Sequence, residues 1–363
     1  AALVTGNPAI VKPAEQTPGV AKAMMDILHA ALRETVPGIA PDSVVQFCPG
    51  LGHTTGAALV RDPRVALLAF TGSRDVGCDI LNAAAPMSPF SSDPKAFGAW
   101  ATGPNAHVKH VVCEMGGKNA AIIDTSADPD ESVLAIRHSA FGFQGQKCSA
   151  CSRLIVVDSQ GPDGPAITTF RHRLVEATKA LTVGDPTLPG TDVGPVIDDE
   201  AKQKIEGYIA RAKAAGLPHL ALEVPANLEA SLKRHFVAPH IFWNVPHDHE
   251  LAREEIFGPV LAVIHARDFD EALRIANSVP YKLTGGVFTR SPDHIERTKR
   301  EFRVGNLYLN RGITGALVAR HPFGGFGMSG IGSKAGGMEY LYHFVVPRAI
   351  AENTMRRGFA PEL

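Results

Sequence analysis

Val65-Ala66-Leu67-Leu68-Ala69-Phe70 runs directly into Thr71-Gly72-Ser73, and a helical pattern starts at Asp75. A short apolar run closed by a glycine turn predicts a strand. The turn delivers the chain to a helix whose first N–H groups suit a phosphate. The same unit recurs on either side. Upstream, Ala9-Ile10-Val11 leads through Lys12-Pro13-Ala14-Glu15-Gln16-Thr17-Pro18 to a helix over Val20 to Leu32. Val44-Val45-Gln46-Phe47 leads through Pro49-Gly50-Leu51-Gly52-His53-Thr54-Thr55-Gly56 to a helix over Ala57 to Val60. Strands alternating with helices predict an α/β fold built on parallel, doubly wound sheets.

Downstream the alternation continues. Val111-Val112-Cys113 ends in Glu114-Met115-Gly116-Gly117-Lys118, and further strands are expected at Ala120 to Asp124, Arg153 to Val157, Phe236 to Pro239, Gly286 to Phe288 and Asn306 to Asn310. Helices are expected at Ser132 to Phe143, Ile167 to Leu181, Asp199 to Ala215 and Asp270 to Ser278. Tyr340 to Val345 reads as a last β-prone run, and the residues after it as a loosely held polar tail. The proline-rich stretch 85–106 reads as a surface excursion.

Composition narrows the function classes. The 363 residues are 45% hydrophobic and 20% charged with a net charge of -1, which fits a globular protein of two or three domains. No basic excess points to nucleic acid, and no apolar run reaches the ~18 residues of a membrane span. No charged and then apolar leader is visible. Five cysteines suggest reduced thiols, hence a cytoplasmic setting or, in a eukaryote, the mitochondrial matrix. No Cys or Cys/His spacing typical of a metal site occurs, and the histidines are scattered. The opening Ala1-Ala2-Leu3-Val4-Thr5-Gly6 reads like the end of a helix, so the chain is expected to lack its beginning.

Chemistry concentrates at two glycine-flanked words. In Phe143-Gln144-Gly145-Gln146-Lys147-Cys148-Ser149-Ala150 a thiol follows a polar glycine turn, and Glu114 lies 34 positions upstream beside Gly116 and Gly117. A thiol and a carboxylate so placed suggest a nucleophile and a base. A lone cysteine, however, is more often a small buried hydrophobe. Lys12 and Glu15 follow a strand, where ligands of parallel sheets sit, although a solvated loop pair fits their spacing equally well. The glycines at 50, 52 and 56 match the dinucleotide fingerprint poorly. Glu254-Glu255-Ile256-Phe257-Gly258-Pro259-Val260 and the glycine-rich Pro322 to Gly330 read as turns shaped around something.

Together these words resemble the aldehyde dehydrogenase superfamily, whose order they follow: 12–18, 70–73, 114–118, 145–148, 254–260 and 322–330. Within it, Ser139 to Arg153, Asn310 to Val318 and Ser333-Lys334-Ala335-Gly336-Gly337 resemble the branch that oxidises L-glutamate γ-semialdehyde to glutamate in proline catabolism. The resemblance implies two doubly wound domains and a small oligomerisation element. Residues 1–116 would be the remainder of a Rossmann-like NAD domain, 117–322 a catalytic domain, and 323–363 a return to the cofactor domain with an oligomerisation strand. It also implies an earlier Trp-Asn-Phe-Pro word, whose asparagine helps hold an oxyanion. That word is absent here, so the isolated chain is expected to be nearly inactive.

The site residues implied are Cys148 as nucleophile and Glu114 as the base that activates water. NAD would be held by Lys12, Glu15, Gly52, Gly56, Phe70, Gly72, Ser73, Glu255 and Phe257. The substrate would be held by Ser149, Gly315, Ala316 and Phe323, with Arg311 a weaker candidate for its carboxylate. The implied partners are a small aldehyde and further copies of the chain in a homo-oligomer. Another aldehyde as substrate, or a non-catalytic fragment of the same fold, remain the alternatives.

Overall fold

The computed structural model describes residues 1–84, 108–317 and 320–354. The expected excursion at 85–106 and the end of the expected tail, 355–363, lie outside these residues.

The chain begins with four short strands in two parallel pairs. The elements are β1 (Ala9–Val11), α1 (Pro18–Thr35), α2 (Pro41–Val44), β2 (Val45–Phe47), α3 (Ala57–Arg61), β3 (Leu67–Thr71), α4 (Arg74–Ala84) and β4 (His110–Glu114). β1 pairs with β2 and β3 with β4, so this first part of the chain consists of two separate ribbons, not one sheet. The glycine word after β2 is itself wound into a single π-turn, Gly52–Gly56, which runs into α3.

The second half is organised on a seven-stranded sheet. Its elements are β5 (Asn119–Ile123), α5 (Pro129–Phe141), β6 (Cys151–Val157), α6 (Pro165–Lys179), α7 (Asp199–Ala214), β7 (His219–Ala221), α8 (Leu228–Leu232), β8 (His240–Phe242), α9 (Glu250–Arg253), β9 (Val260–Ala266), α10 (Phe269–Asn277), β10 (Tyr281–Lys282), β11 (Thr284–Phe288), α11 (Pro292–Glu301), β12 (Asn306–Leu309) and β13 (Phe326–Gly327). The strand order is β12-β11-β5-β6-β9-β8-β7, and every pair is parallel except β7 with β8 at one edge. β10 pairs with β13 antiparallel outside this sheet.

The physical reasons are local. β5, β6 and β9 sit at the centre and are almost wholly buried apolar runs, as a sheet covered on both faces requires. Side chains alternate along β6. Ile155 and Val157 face a core with Ile205 and Ile209 of α7 and Phe269 and Leu273 of α10, while Leu154 and Val156 face a core with Ile136 of α5 and Phe170 and Leu174 of α6. Each such side chain contributes about 1.5–3 kcal/mol on burial, which makes this double core the main source of stability. Helix starts are fixed by side-chain caps: Asp128, Asp198, Asp268 and Ser291 each accept a hydrogen bond from the first turn of α5, α7, α10 and α11.

Two expectations need correction. Tyr340 to Val345 is no strand; Met338–Phe344 forms a 3-10 turn in which the Tyr340 ring packs on His343 and Phe344 at 5.5 and 5.6 Å. Phe236 to Pro239 is not a strand either. Pro239 has no N–H for a ladder, and pairing starts at His240, whose N–H donates to the Pro259 carbonyl at 2.8 Å. Among the described residues no helix is long and apolar enough to cross a membrane.

Candidate active site

The turn that carries Cys148 connects α5 to β6. α5 ends at Phe141, and the chain reverses through Phe143 and Gln144, both at φ 56°, and Gly145 at φ 64°. A Cβ on Gly145 would stand 2.3 Å from the Gly258 carbonyl oxygen, so this turn and the 254–260 word pack backbone to backbone. Cys148 is partly buried. Burial pushes its thiol above the ordinary value, and the charges of Glu255 and Glu114 push the same way; the backbone N–H groups of Ser149 and Cys148 pull it back.

Glu114 closes β4, opposite Thr71. Burial pushes its carboxyl up to about 7, with the Gly325 N–H and the Lys334 ammonium pulling downward. Neither carboxylate oxygen accepts a well-formed hydrogen bond, so the Gly325 N–H lies near without satisfying it. The glycine loop after Pro322 lies against this group: a Cβ on Gly324 would stand 2.7 Å from Glu114 Oε1, and Gly330 forms a bridge with the Glu114 backbone. That contact accounts for the loop's composition.

Four residues, Met115 to Lys118, carry the chain from β4 to β5. Glu255 pins this crossing. Its Oε1 accepts from the Gly117 N–H at 2.9 Å, and a Cβ on Gly116 would stand 1.9 Å from its Oε2. Burial raises the Glu255 pKa.

The residues expected at the cofactor fall into two groups. The Glu15 carboxylate accepts from the Gly52 N–H at 2.9 Å, and Lys12 Nζ donates to the Pro13 carbonyl at 2.9 Å. Cβ atoms on Gly52 and Gly56 would meet nothing closer than Glu15 Oε2 at 3.8 Å and Lys12 Cε at 3.9 Å. These four residues therefore form one open, backbone-lined face at the carboxyl ends of β1 and β2, which fits a nucleotide. In the second group, the Phe70 ring lies under Gly72, whose N–H donates to the Glu114 carbonyl at 3.1 Å. Ser73 Oγ accepts from the Val76 N–H at 3.3 Å and caps α4. Phe257 adopts φ 60° and stays 40% exposed.

Of the residues expected at the substrate, Ser149 is buried next to Cys148, and Gly315 takes the left-handed φ of 81°. Ala316 follows it, and Phe323 pairs through its backbone with Ala335 at 2.9 and 2.8 Å. A cavity of about 570 Å³ opens here, lined by Ala135, His138, Lys147, Arg311, Gly312, Thr314 and Gly315. Cys148 is beside it and not in its lining. Arg311 stacks 5.2 Å over the Tyr308 ring and lines this cavity. Among the described residues no group of three His, Cys, Asp or Glu could hold a metal.

Sequence reasoning assigned no role to Lys118, Asn119 or Arg153. Lys118 is fully buried with no hydrogen bond to its amine, and burial lowers it to about 7. Arg153 donates to the carbonyls of Lys118, Ile275 and Ala276 at 2.9–3.0 Å. A polar Asn119 opening an Ala-Ala-Ile-Ile strand was the available signal, because a buried amide must find partners.

Comparison with known proteins adds to this geometry. The profile described as "Aldehyde dehydrogenase family" matches residues 1–350. A curated 1-pyrroline-5-carboxylate dehydrogenase from Bacillus cereus is 44% identical over 342 residues, 94% of this chain and 60% of that one. The chain thus spans about 60% of the length of the curated relatives it matches. Among solved structures, proline utilization A from Bdellovibrio bacteriovorus superposes with a TM-score of 0.85 at 47% identity, over 99% of this chain and 34% of that chain. A 1-pyrroline-5-carboxylate dehydrogenase from Thermus with bound NAD superposes with a TM-score of 0.79 at 42% identity, over 93% and 59% of the two chains.

Proposed function

The chain belongs to the aldehyde dehydrogenase family, and from that premise we propose that it takes part in the NAD-dependent oxidation of L-glutamate γ-semialdehyde to L-glutamate. The observation that carries the reading is the pairing of a thiol held among backbone N–H groups with an unsatisfied, buried carboxyl at about 7. The first suits covalent attack on an aldehyde carbon, the second proton removal from water near neutral pH. The likeness to 1-pyrroline-5-carboxylate dehydrogenases at 44% and 42% identity supports the choice of aldehyde.

Cys148 attacks the carbonyl carbon to give a thiohemiacetal, and its own N–H stabilises the oxygen that becomes negative. NAD, when bound, supplies the acceptor for the hydride whose loss leaves a thioester on Cys148. Glu114 then takes a proton from the water that hydrolyses this thioester, and the carboxylic acid product leaves. Lys12, Glu15, Gly52 and Gly56 hold the adenosine ribose. The Glu15 carboxylate repels a 2′-phosphate, which favours NAD over NADP. Phe70, Gly72 and Ser73 lie along the pyrophosphate, while Glu255 and Phe257 meet the nicotinamide ribose. Ser149, Gly315 and Ala316 hold the substrate carboxylate, and Phe323 packs on its aliphatic chain. Residues 1–116 and 323 onward serve the cofactor and 117–322 the aldehyde.

The active form is a homo-oligomer in a reducing compartment. Val346 and Ile350 at the end of the described chain are 93% and 77% exposed, and all five cysteines are free, which supports both parts of that statement. The test is NADH formation, by a protein of the relatives' full length carrying this chain, with glutamate semialdehyde against succinate semialdehyde, each with NAD and NADP. Preference for succinate semialdehyde, or for NADP, overturns the corresponding assignment.

A further inference from the structure

Asn119 is the first residue of β5, 3% exposed, and its side chain makes three hydrogen bonds to two neighbouring segments. Its Nδ2 donates to the carbonyl of Cys148 at 2.7 Å and to that of Ala150 at 2.9 Å. Its Oδ1 accepts from the Thr284 N–H of β11 at 3.0 Å. Thr284 Oγ1 donates to the carbonyl between those two, that of Ser149, at 3.4 Å. The carbonyls of three successive residues in the nucleophile turn are therefore tied to the sheet by side chains.

A planar trans peptide points its N–H opposite to its C=O. Drawing the Cys148 carbonyl toward β5 turns the Ser149 N–H away from β5, to the side from which it favours the Cys148 thiolate. Gly117 makes the grip possible: a Cβ there would stand 2.6 Å from the Cys148 oxygen and 2.7 Å from Asn119 Oδ1. We propose that Asn119 is a positioning residue for the nucleophile, which holds the Cys148–Ser149 peptide so that the Ser149 N–H steadies the thiolate. The role of Cys148 on which this rests is the one proposed above. Glu255 from the turn before β9 and Glu114 from the end of β4 are the charged groups that face this sulfur, and both oppose the thiolate. The N–H donors counter them.

The test follows iodoacetamide alkylation of Cys148 against pH by peptide mass spectrometry, in intact protein and without substrate. With Asn119→Ala, or Asn119→Ser should the first fail to fold, the midpoint rises by about one pH unit and the rate at neutral pH falls about tenfold, the effect of losing one hydrogen bond to a charged group. Thr284→Val removes only the Ser149 tie and leaves the midpoint in place. An unmoved midpoint in a folded Asn119 variant, or an equal rise in Thr284→Val, overturns the proposal. Alkylation needs no aldehyde, so failure of a protein of the relatives' full length carrying this chain to oxidise glutamate semialdehyde sinks the proposed reaction without touching this result.

Discussion

A carboxyl that ionises near pH 7 is only half available as a base at neutral pH, and Glu114 is such a group. Turnover limited by thioester hydrolysis should therefore rise between about pH 6 and 8. Glu114→Gln should give a burst of NADH and then stall, with steady-state turnover down by about 10²–10⁴, because hydride loss needs no base and hydrolysis does. Steady turnover equal to wild type overturns that role. The same shift has a stability consequence of opposite sense. The folded-state value lies above the ordinary 4.5, so the folded chain keeps a proton that the unfolded chain releases. Glu114 thus weakens the fold as pH rises from about 4.5 to about 7. Melting of the Gln variant should gain on wild type across that window; a constant difference in Tm counts against the shift. Cys148→Ala should abolish oxidation while NAD binding by calorimetry stays near wild type, since Lys12, Glu15 and Ser73 are untouched.

At the scale of elements, turns are less forgiving than strands. Gly145 combines φ 64° with a 2.3 Å approach to the Gly258 oxygen, so Gly145→Ala imposes both backbone strain and a clash. It should cost about 1–3 kcal/mol in denaturant unfolding and displace Cys148 enough to lower the rate. Full stability with full activity would mean that the two turns are not packed together. These turns were also what the sequence disclosed best. The glycines at 116, 117 and 145 marked the words around Glu114 and Cys148, and the apolar runs of β5 and β6 marked the sheet. Regular strands failed where context overrode pattern: Tyr340 to Val345 has β-prone residues but coils on its own aromatic rings. α11 was missed although Ser291 and Pro292 announce it, because of its residues only Thr298 is buried. Asn119, Lys118 and Arg153 gave little local signal, since their partners lie far along the chain, as Ile275 does from Arg153 at 122 positions.

Over the whole molecule, Arg153 joins β6 to the β4–β5 crossing and to the end of α10 through three carbonyls. Arg153→Met keeps the bulk but takes the guanidinium from the Lys118 and Ala276 carbonyls, while Ile275 keeps Ser278 as donor, and should cost about 3 kcal/mol, read as a fall in the denaturant midpoint. A neutral effect would show that neighbouring groups or water satisfy them. The β3–β4 ribbon and the seven-stranded sheet are joined along the chain by residues 115–118, with Glu114 on one bank and Asn119 on the other. To anyone shuffling genes of this family, that short link between two sheets offers itself as a crossover point. The Glu255 carboxylate seated on Gly116 and Gly117 makes it a poor one. A chimera cut there inherits the link from one parent and its clasp, 138 positions later, from the other. Compatible offspring are those in which the two segments travel together.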